Sequence, residues 1–161
     1  DEVGSRGLGD VYKRQFISTN VFGATSILGY WLTGSSIVQI EKCNDYVCGK
    51  IKTIFVEEGV DPKQLLDDKN KDKSLRSRTL VGINILDNFL IEDINQRTFK
   101  GGKIYDPRSG RTYKSNLYIN DNGTLSVEGC LAFICNGEEW KPLEVTINAD
   151  GTSEAVLKNS L

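Results

Sequence analysis

Hydrophobic and polar positions alternate along most of this chain, in short runs that turn residues separate. The clearest run covers residues 124–133 and follows the turn signal Asp121-Asn122-Gly123. A period of two residues is typical of a strand that buries one face. In this run the positions predicted to share the buried face are Leu125, Val127, Gly129, Leu131 and Phe133.

The same pattern, read along the chain, predicts about eight strands and no long helix. The predicted strands are residues 28–33, 37–42, 47–56, 80–90, 98–105, 111–120, 124–133 and 138–147. Asp106-Pro107-Arg108-Ser109-Gly110 and Asn136-Gly137 are predicted turns. Near residues 61–78 we expect a short helix that begins at Pro62, or a loop. Since closure removes exposed strand edges, the predicted fold is all-β, a single antiparallel up-and-down β-barrel.

The two ends of the chain differ in composition from its middle. Residues 5–15 resemble a translated sequencing adapter, so we treat 1–15 as an artefact. Residues 16–23 resemble the end of a secretory signal peptide, and the alternative is an ordinary first strand. These interpretations leave residues 24–147 as the barrel domain and 148–161 as a polar C-terminal tail.

The charge balance limits the classes of partner. The chain has 20 basic and 22 acidic side chains, so no global field favours nucleic acid or an anionic membrane. The apolar stretch at 16–23 is too short for a membrane span. No motif implies a cofactor.

The four cysteines form two pairs with the same spacing, and each pair flanks a turn. Facing strand positions beside a turn are close enough to bridge. In an exported chain we therefore expect the disulfides Cys43–Cys48 and Cys130–Cys135. The competing interpretation is a structural zinc site with four thiolate ligands.

Several motifs, taken in order, resemble a bacterial family known as domain of unknown function 2147. The matching residues are Gly29-x-Trp31, Cys43, Cys48-Gly49, Leu75-Arg76-Ser77-Arg78, Gly82, Gly102-x-Ile104-Tyr105-Asp106-Pro107-x-Ser109-Gly110-x-Thr112-Tyr113, Gly129 and Trp140. They span residues 28–142, and Thr79 stands where the family usually has proline. The resemblance implies an exported, lipocalin-like barrel of eight strands with a cavity at its mouth. It implies no established reaction.

Catalytic chemistry has little support in the sequence. The chain has no histidine, which removes the commonest general base and the usual metal ligand. Asp106 lies in a turn, where it caps its own backbone, and Glu138 and Glu139 alternate across a strand. We therefore expect no enzyme, no catalytic residue and no metal site.

Six residues are candidates for ligand binding: Arg76, Arg78, Tyr105, Tyr113, Trp140 and Trp31. Arg76 and Arg78 could clamp a carboxylate or phosphate at the barrel mouth, or pair with Asp67, Asp68 or Asp72 instead. The alternative for both tyrosines is packing across strands. Trp31 is better explained as a plug at the closed end of the barrel, and Trp140 as a similar plug or as part of the cavity wall.

Two functions from different classes remain. The first is a periplasmic or secreted module that binds a small amphipathic or hydrophobic ligand. If the two arginines line the mouth, this ligand should be an anion such as a fatty acid. The second is a structural or interaction module whose barrel is filled by side chains and which binds a protein partner.

Overall fold

The computed structural model describes residues 26–93 and 95–158. The regions interpreted as an adapter artefact and as a signal-peptide remnant lie outside these residues. In the described chain the strands are β1 Gly29–Leu32, β2 Ser36–Cys43, β3 Tyr46–Ile54, β4 Asn84–Leu90, β5 Thr98–Asp106, β6 Arg111–Ile119, β7 Leu125–Leu131, β8 Ile134–Ile147 and β9 Ser153–Leu157. Two short 3₁₀ helices, Pro62–Gln64 and Lys73–Leu75, lie between β3 and β4. No helix in these ranges is long and apolar enough to cross a membrane.

The strands form one antiparallel sheet in sequence order. The sheet closes because β1 also pairs with β8, with Trp31 opposite Pro142. This closure confirms the predicted up-and-down barrel of eight strands. β9 extends the sheet beyond the barrel by pairing with the last part of β8, where Glu144 lies opposite Val156.

Two details differ from the sequence prediction. The turn between β7 and β8 is at Ala132 and Phe133, with Ile134 opposite Leu131, so the turn predicted at Asn136-Gly137 is wrong. Ala132 has a φ of 55°, a conformation that glycine or asparagine normally adopts. Since alanine is not a usual turn residue, the sequence gives no signal for this turn. The segment interpreted as a polar tail contains β9, all five residues of which are exposed.

Large side chains fill the lower part of the barrel. The fully buried residues include Trp31, Trp140, Phe89, Leu86 and Leu117. The ring of Phe89 occupies the space over Gly102, where an added Cβ would lie 2.4 Å from the ring. Position 102 therefore requires glycine, because the Phe89 ring of β4 fills the space that any larger side chain there would need.

The other end of the barrel carries most of the irregular structure. Because neighbouring strands run in opposite directions, the connections β1–β2, β3–β4, β5–β6 and β7–β8 lie at the same end, which we call the mouth. The longest of these connections is the loop of residues 55–83 between β3 and β4. It packs on the β5–β6 turn, since a Cβ on Gly110 would lie 1.8 Å from the Lys69 carbonyl oxygen. Gly110 also has a φ of 68°.

Candidate functional site: the cavity at the barrel mouth

A cavity of about 520 Å³ opens at the mouth of the barrel. This volume falls within the usual range of small-molecule sites. Strands β5 to β8 and the β5–β6 turn form its wall. The residues that line it are Ile104, Asp106, Arg108, Tyr113, Val127, Gly129, Leu131, Ile134, Asn136, Gly137 and Glu138. The barrel is therefore filled at one end and open at the other.

Asp106 and Arg108 form an ion pair at the edge of the cavity. Arg108 donates from its Nε to Oδ1 of Asp106 at 2.9 Å, and Ser109 donates to Oδ2 at 3.1 Å. Although partial burial raises the pKa of Asp106, the bonds from Arg108 hold it below its ordinary value. The bond to Asp106 likewise raises the pKa of Arg108. Each charge of this pair thus has a partner within the turn.

Glu138 projects into the cavity from β8. It lies opposite Val127, whose side chain is buried inside the barrel, and cross-strand partners share a face. The buried indole of Trp140 donates to Oε1 of Glu138 at 2.7 Å. No described cation forms an ion pair with this carboxylate within 4 Å, although its charge helps to raise the pKa of Arg108. Trp140 thus fixes one carboxylate oxygen of Glu138, and the other accepts no hydrogen bond from a described residue.

The inner face below the cavity contains one further polar group. Ser115 lies opposite Gly129, which lines the cavity, and Ser115 is fully buried. Its Oγ is the one buried side-chain oxygen or nitrogen in the described chain with no hydrogen-bond partner. Buried polar atoms are rarely left unpaired, because that costs about 1–3 kcal/mol. Ser115 therefore has bonding capacity that the fold does not use.

The loop of residues 55–83 is organised around a buried carboxylate. The side chain of Asp67 is fully buried and forms an ion pair with Arg78, from Nη2 to Oδ2, at 2.9 Å. Asn70 donates to the same oxygen at 2.8 Å. Tyr105 on β5 donates to Oδ1 at 2.5 Å. This cluster of four residues, the Asp67 cluster, attaches the loop to the barrel wall.

Two consequences follow for the predicted arginine clamp. Arg76 donates from its Nε to the Asn70 carbonyl oxygen at 2.7 Å, so both arginines hold the loop together. Neither of them lines the cavity, so the expectation that they form its mouth is wrong. The reason is that Asp67, one of the three acidic partners that sequence analysis offered, is buried and pairs with Arg78, while Arg76 bonds the backbone of the same loop. Tyr105 belongs to the same cluster.

The remaining candidates are divided between cavity and core. Tyr113 lines the cavity. Trp140 is buried and contacts the cavity only through its bond to Glu138. Trp31 is buried in the core and donates from its Nε1 to the Ile27 carbonyl oxygen at 2.9 Å.

A second concavity, of about 980 Å³, lies on the outer face of the barrel beside the Asp67 cluster. We call it the outer groove. Its charged residues are Lys71, Arg78, Lys103, Arg111 and Lys114, against Asp72 and Asp87. Lys103 lies directly opposite Lys114, although like charges at facing positions destabilise a sheet. The groove is thus basic on a chain whose net charge is −2.

Both predicted disulfides are confirmed. Cys43 is bonded to Cys48 and Cys130 to Cys135, with Cα atoms 6.0 and 4.0 Å apart. The bridges lie in the β2–β3 and β7–β8 hairpins. Since each sulfur is bonded within its own hairpin, the four-thiolate zinc interpretation is wrong.

Sequence reasoning missed most of the cavity. It assigned Asp106 to its turn, a role that the structure retains, and it treated Glu138 only as half of a rejected carboxylate pair. The signal that could have found Glu138 is the register of β7 and β8, because Val127 and Glu138 are partners. Finding it required the turn at Ala132 and Phe133, which has no turn sequence.

Two of three comparisons with known proteins find a match for this chain. The family model described as "Uncharacterized protein conserved in bacteria (DUF2147)" matches residues 29–142. No curated protein matches the chain significantly. A solved structure, protein HP1028 from Helicobacter pylori, is similar with a TM-score of 0.64 and 22% sequence identity, over 74% of this chain and 84% of that one. That protein is described as belonging to the lipocalin family, and the likeness shows that the fold described above is lipocalin-like.

Proposed function

The chain belongs to the bacterial family DUF2147, and from this premise we propose that it is an exported, lipocalin-like module that binds a small amphipathic ligand. The observation that carries the proposal is the cavity of about 520 Å³ at the mouth. Its wall combines the apolar side chains of Ile104, Val127 and Leu131 with a few polar ones. A small-molecule site needs this combination of apolar area and placed polar groups.

The filled lower part of the barrel supports a ligand of limited length. Trp140, Phe89 and Leu117 occupy the interior below the cavity, so an apolar chain enters only the upper part. Burial of each methylene contributes ~0.8 kcal/mol before ordering costs. We therefore expect the chain of the ligand to set most of the affinity, and the polar wall to choose among head groups.

The two disulfides support the export part of the proposal. Disulfides persist in oxidising compartments such as the periplasm, and are rare where thiols are kept reduced. All four cysteines of the chain are bridged. We propose a periplasmic or extracellular location, which fractionation of cells that express the full-length gene will test.

We also propose that the module binds its ligand without transforming it. The chain has no histidine. In the cavity, Asp106 already accepts hydrogen bonds on both of its oxygens. The other cavity carboxylate, Glu138, is bonded among the described residues only by the indole of Trp140, which is neither a nucleophile nor an acid–base partner.

Native mass spectrometry of the protein purified from a periplasm is the direct test. The expected result is a co-purified small molecule that leaves when the protein is denatured. Isothermal titration with 1-decanol, a neutral amphiphile, provides the second measurement. If the protein carries no molecule and does not bind the alcohol, the proposal is wrong.

The outer groove favours a second candidate function, the binding of an acidic segment of a protein partner. Of its five basic residues, only Arg78 forms an ion pair within the described chain. Lys103 and Lys114 are exposed and lie side by side, which suits an acidic strand or loop. Titration with a poly-glutamate peptide tests this candidate. The charge-reversed pair Lys103→Glu and Lys114→Glu should abolish binding, and the variant Lys52→Glu, an exposed lysine that does not line the groove, should not.

A further inference from the structure

We infer that the cavity selects an amphiphile with a cationic head group, and that Glu138 provides the countercharge. The inference rests on the proposed function, because it specifies the ligand of the same cavity. It reverses the expectation from sequence, which relied on Arg76 and Arg78 and predicted an anion. Those arginines hold the loop, so other charges determine the choice of head group.

The charge count of the cavity favours a cation. Three charged side chains line it: Asp106, Arg108 and Glu138. The first two form an ion pair at 2.9 Å. Glu138 forms no ion pair within 4 Å in the described chain, although its charge also acts on Arg108. Two carboxylates and one guanidinium thus line the cavity, and the wall carries one net negative charge.

The position of Glu138 suits it to receive a head group. The indole of Trp140 donates to Oε1 at 2.7 Å and fixes the side chain from below. Oε2 accepts no hydrogen bond from a described residue. Tyr113 also lines the cavity, and aromatic faces attract ammonium groups. A cation in this cavity thus finds a fixed carboxylate and an aromatic side chain in the same wall.

An anionic head group finds a weaker partner. The side chain of Arg108 is 85% exposed and already bonded through its Nε to Asp106. Exposed ion pairs contribute little, because water and salt screen them, and Glu138 is exposed as well. The difference is that the Trp140 indole fixes the Glu138 carboxylate, whereas the carboxylate that holds Arg108 also neutralises it. An anion within the cavity would also meet the like charge of Glu138.

A series of three amphiphiles with the same ten-carbon chain tests the inference: decyltrimethylammonium, 1-decanol and decanoate. The two ions are titrated calorimetrically below their micelle concentrations and the alcohol below its solubility limit, all at neutral pH and low salt. The parent protein should bind the cation about tenfold more tightly than decanoate, with the alcohol between them. Glu138→Gln keeps an acceptor for the Trp140 indole and removes the charge. It should weaken binding of the cation about five- to tenfold and leave the alcohol unchanged.

Glu154→Gln is the matched control, since it removes one carboxylate from the exposed strand β9 outside the barrel. It should leave all three affinities unchanged. Equal binding of the three amphiphiles by the parent would overturn the inference and leave the proposed function intact. Tighter binding of decanoate would overturn it in favour of Arg108. If none of the three binds, both the inference and the proposed function are wrong.

Discussion

Tyr105 on β5 donates its hydroxyl to Oδ1 of Asp67 at 2.5 Å, across 38 residues of sequence. The contact joins the barrel wall to the loop at the mouth. Arg78 lies over the ring of Tyr105, with its Cζ 5.8 Å from the ring centre. Because Arg78 also forms an ion pair with Asp67, it contacts both residues of this hydrogen bond. The arrangement makes the loop a fixed part of the mouth.

The Tyr105–Asp67 bond predicts a loss of stability in alkaline solution. Burial, and next the bond to Asp67, raise the pKa of Tyr105 from 10.0 to about 12. The native protein therefore keeps a proton that the unfolded chain loses above pH 10. The stabilisation is complete below pH 10 and is lost as the pH rises through about 12. Urea unfolding at about pH 9 and about pH 11 should show a larger loss for the parent than for Tyr105→Phe. Equal losses in the two proteins would contradict the prediction.

Removal of the carboxylate at the centre of the Asp67 cluster should destabilise the protein. Asp67→Ala leaves Arg78, Asn70 and Tyr105 without their shared acceptor. Loss of one partner of a buried pair costs about 3–5 kcal/mol, and the partial exposure of Arg78 lowers this to about 2–3. Chemical denaturation measures the change. Asp68→Ala, at an exposed neighbouring position, should cost less than about 0.5 kcal/mol.

How far the sequence predicts this fold depends on the kind of signal. Strand positions follow from alternation, so β5 and β6 are predicted within one residue at each end. Register does not follow from alternation alone. The turn at Ala132 and Phe133 is held by the facing pair Cys130 and Cys135, and no local turn residue marks it.

The site was harder to predict than the fold because it depends on contacts between distant residues. Arginines in a loop suggest a clamp until a buried partner such as Asp67 is seen. Glu138 looks like any exposed strand carboxylate until β7 places Val127 opposite it. Both facts are set by tertiary pairing, which one sequence without its structure does not give.

Gly102 should tolerate no side chain while Phe89 is present. In Gly102→Ala the new Cβ would lie 2.4 Å from the Phe89 ring, so the ring must move within a packed core. Overpacking of this kind typically costs about 1–3 kcal/mol. The smaller side chain of Phe89→Leu, combined with Gly102→Ala, should recover part of this loss. Strict additivity of the two single changes would show that the contact does not matter.

The disulfide of the β7–β8 hairpin should stabilise the turn that the sequence does not mark. Replacement of Cys130 and Cys135 by serine opens a bridge with a sequence separation of 5, which should cost about 2 kcal/mol. Thermal unfolding measures the loss, and the same change at Cys43 and Cys48 is the comparison. Non-reducing peptide mapping of the parent should find both bridges. Recovery of four free thiols would refute them.

The cavity should close when a large side chain grows from Gly129. A Cβ at this position would lie 3.4 Å from Ile104 Cγ2 and 3.8 Å from Tyr113 Cβ, so it fits without moving its neighbours. Gly129→Ala should therefore fold normally and retain most of the affinity for 1-decanol. Gly129→Leu extends further into the space that the ligand chain needs, and it should weaken binding at least about tenfold, the equivalent of losing about two buried methylenes. Circular dichroism should show that both variants keep the barrel. Undiminished binding by a folded Gly129→Leu would mean that the amphiphile binds elsewhere, and the outer groove is then the first place to look.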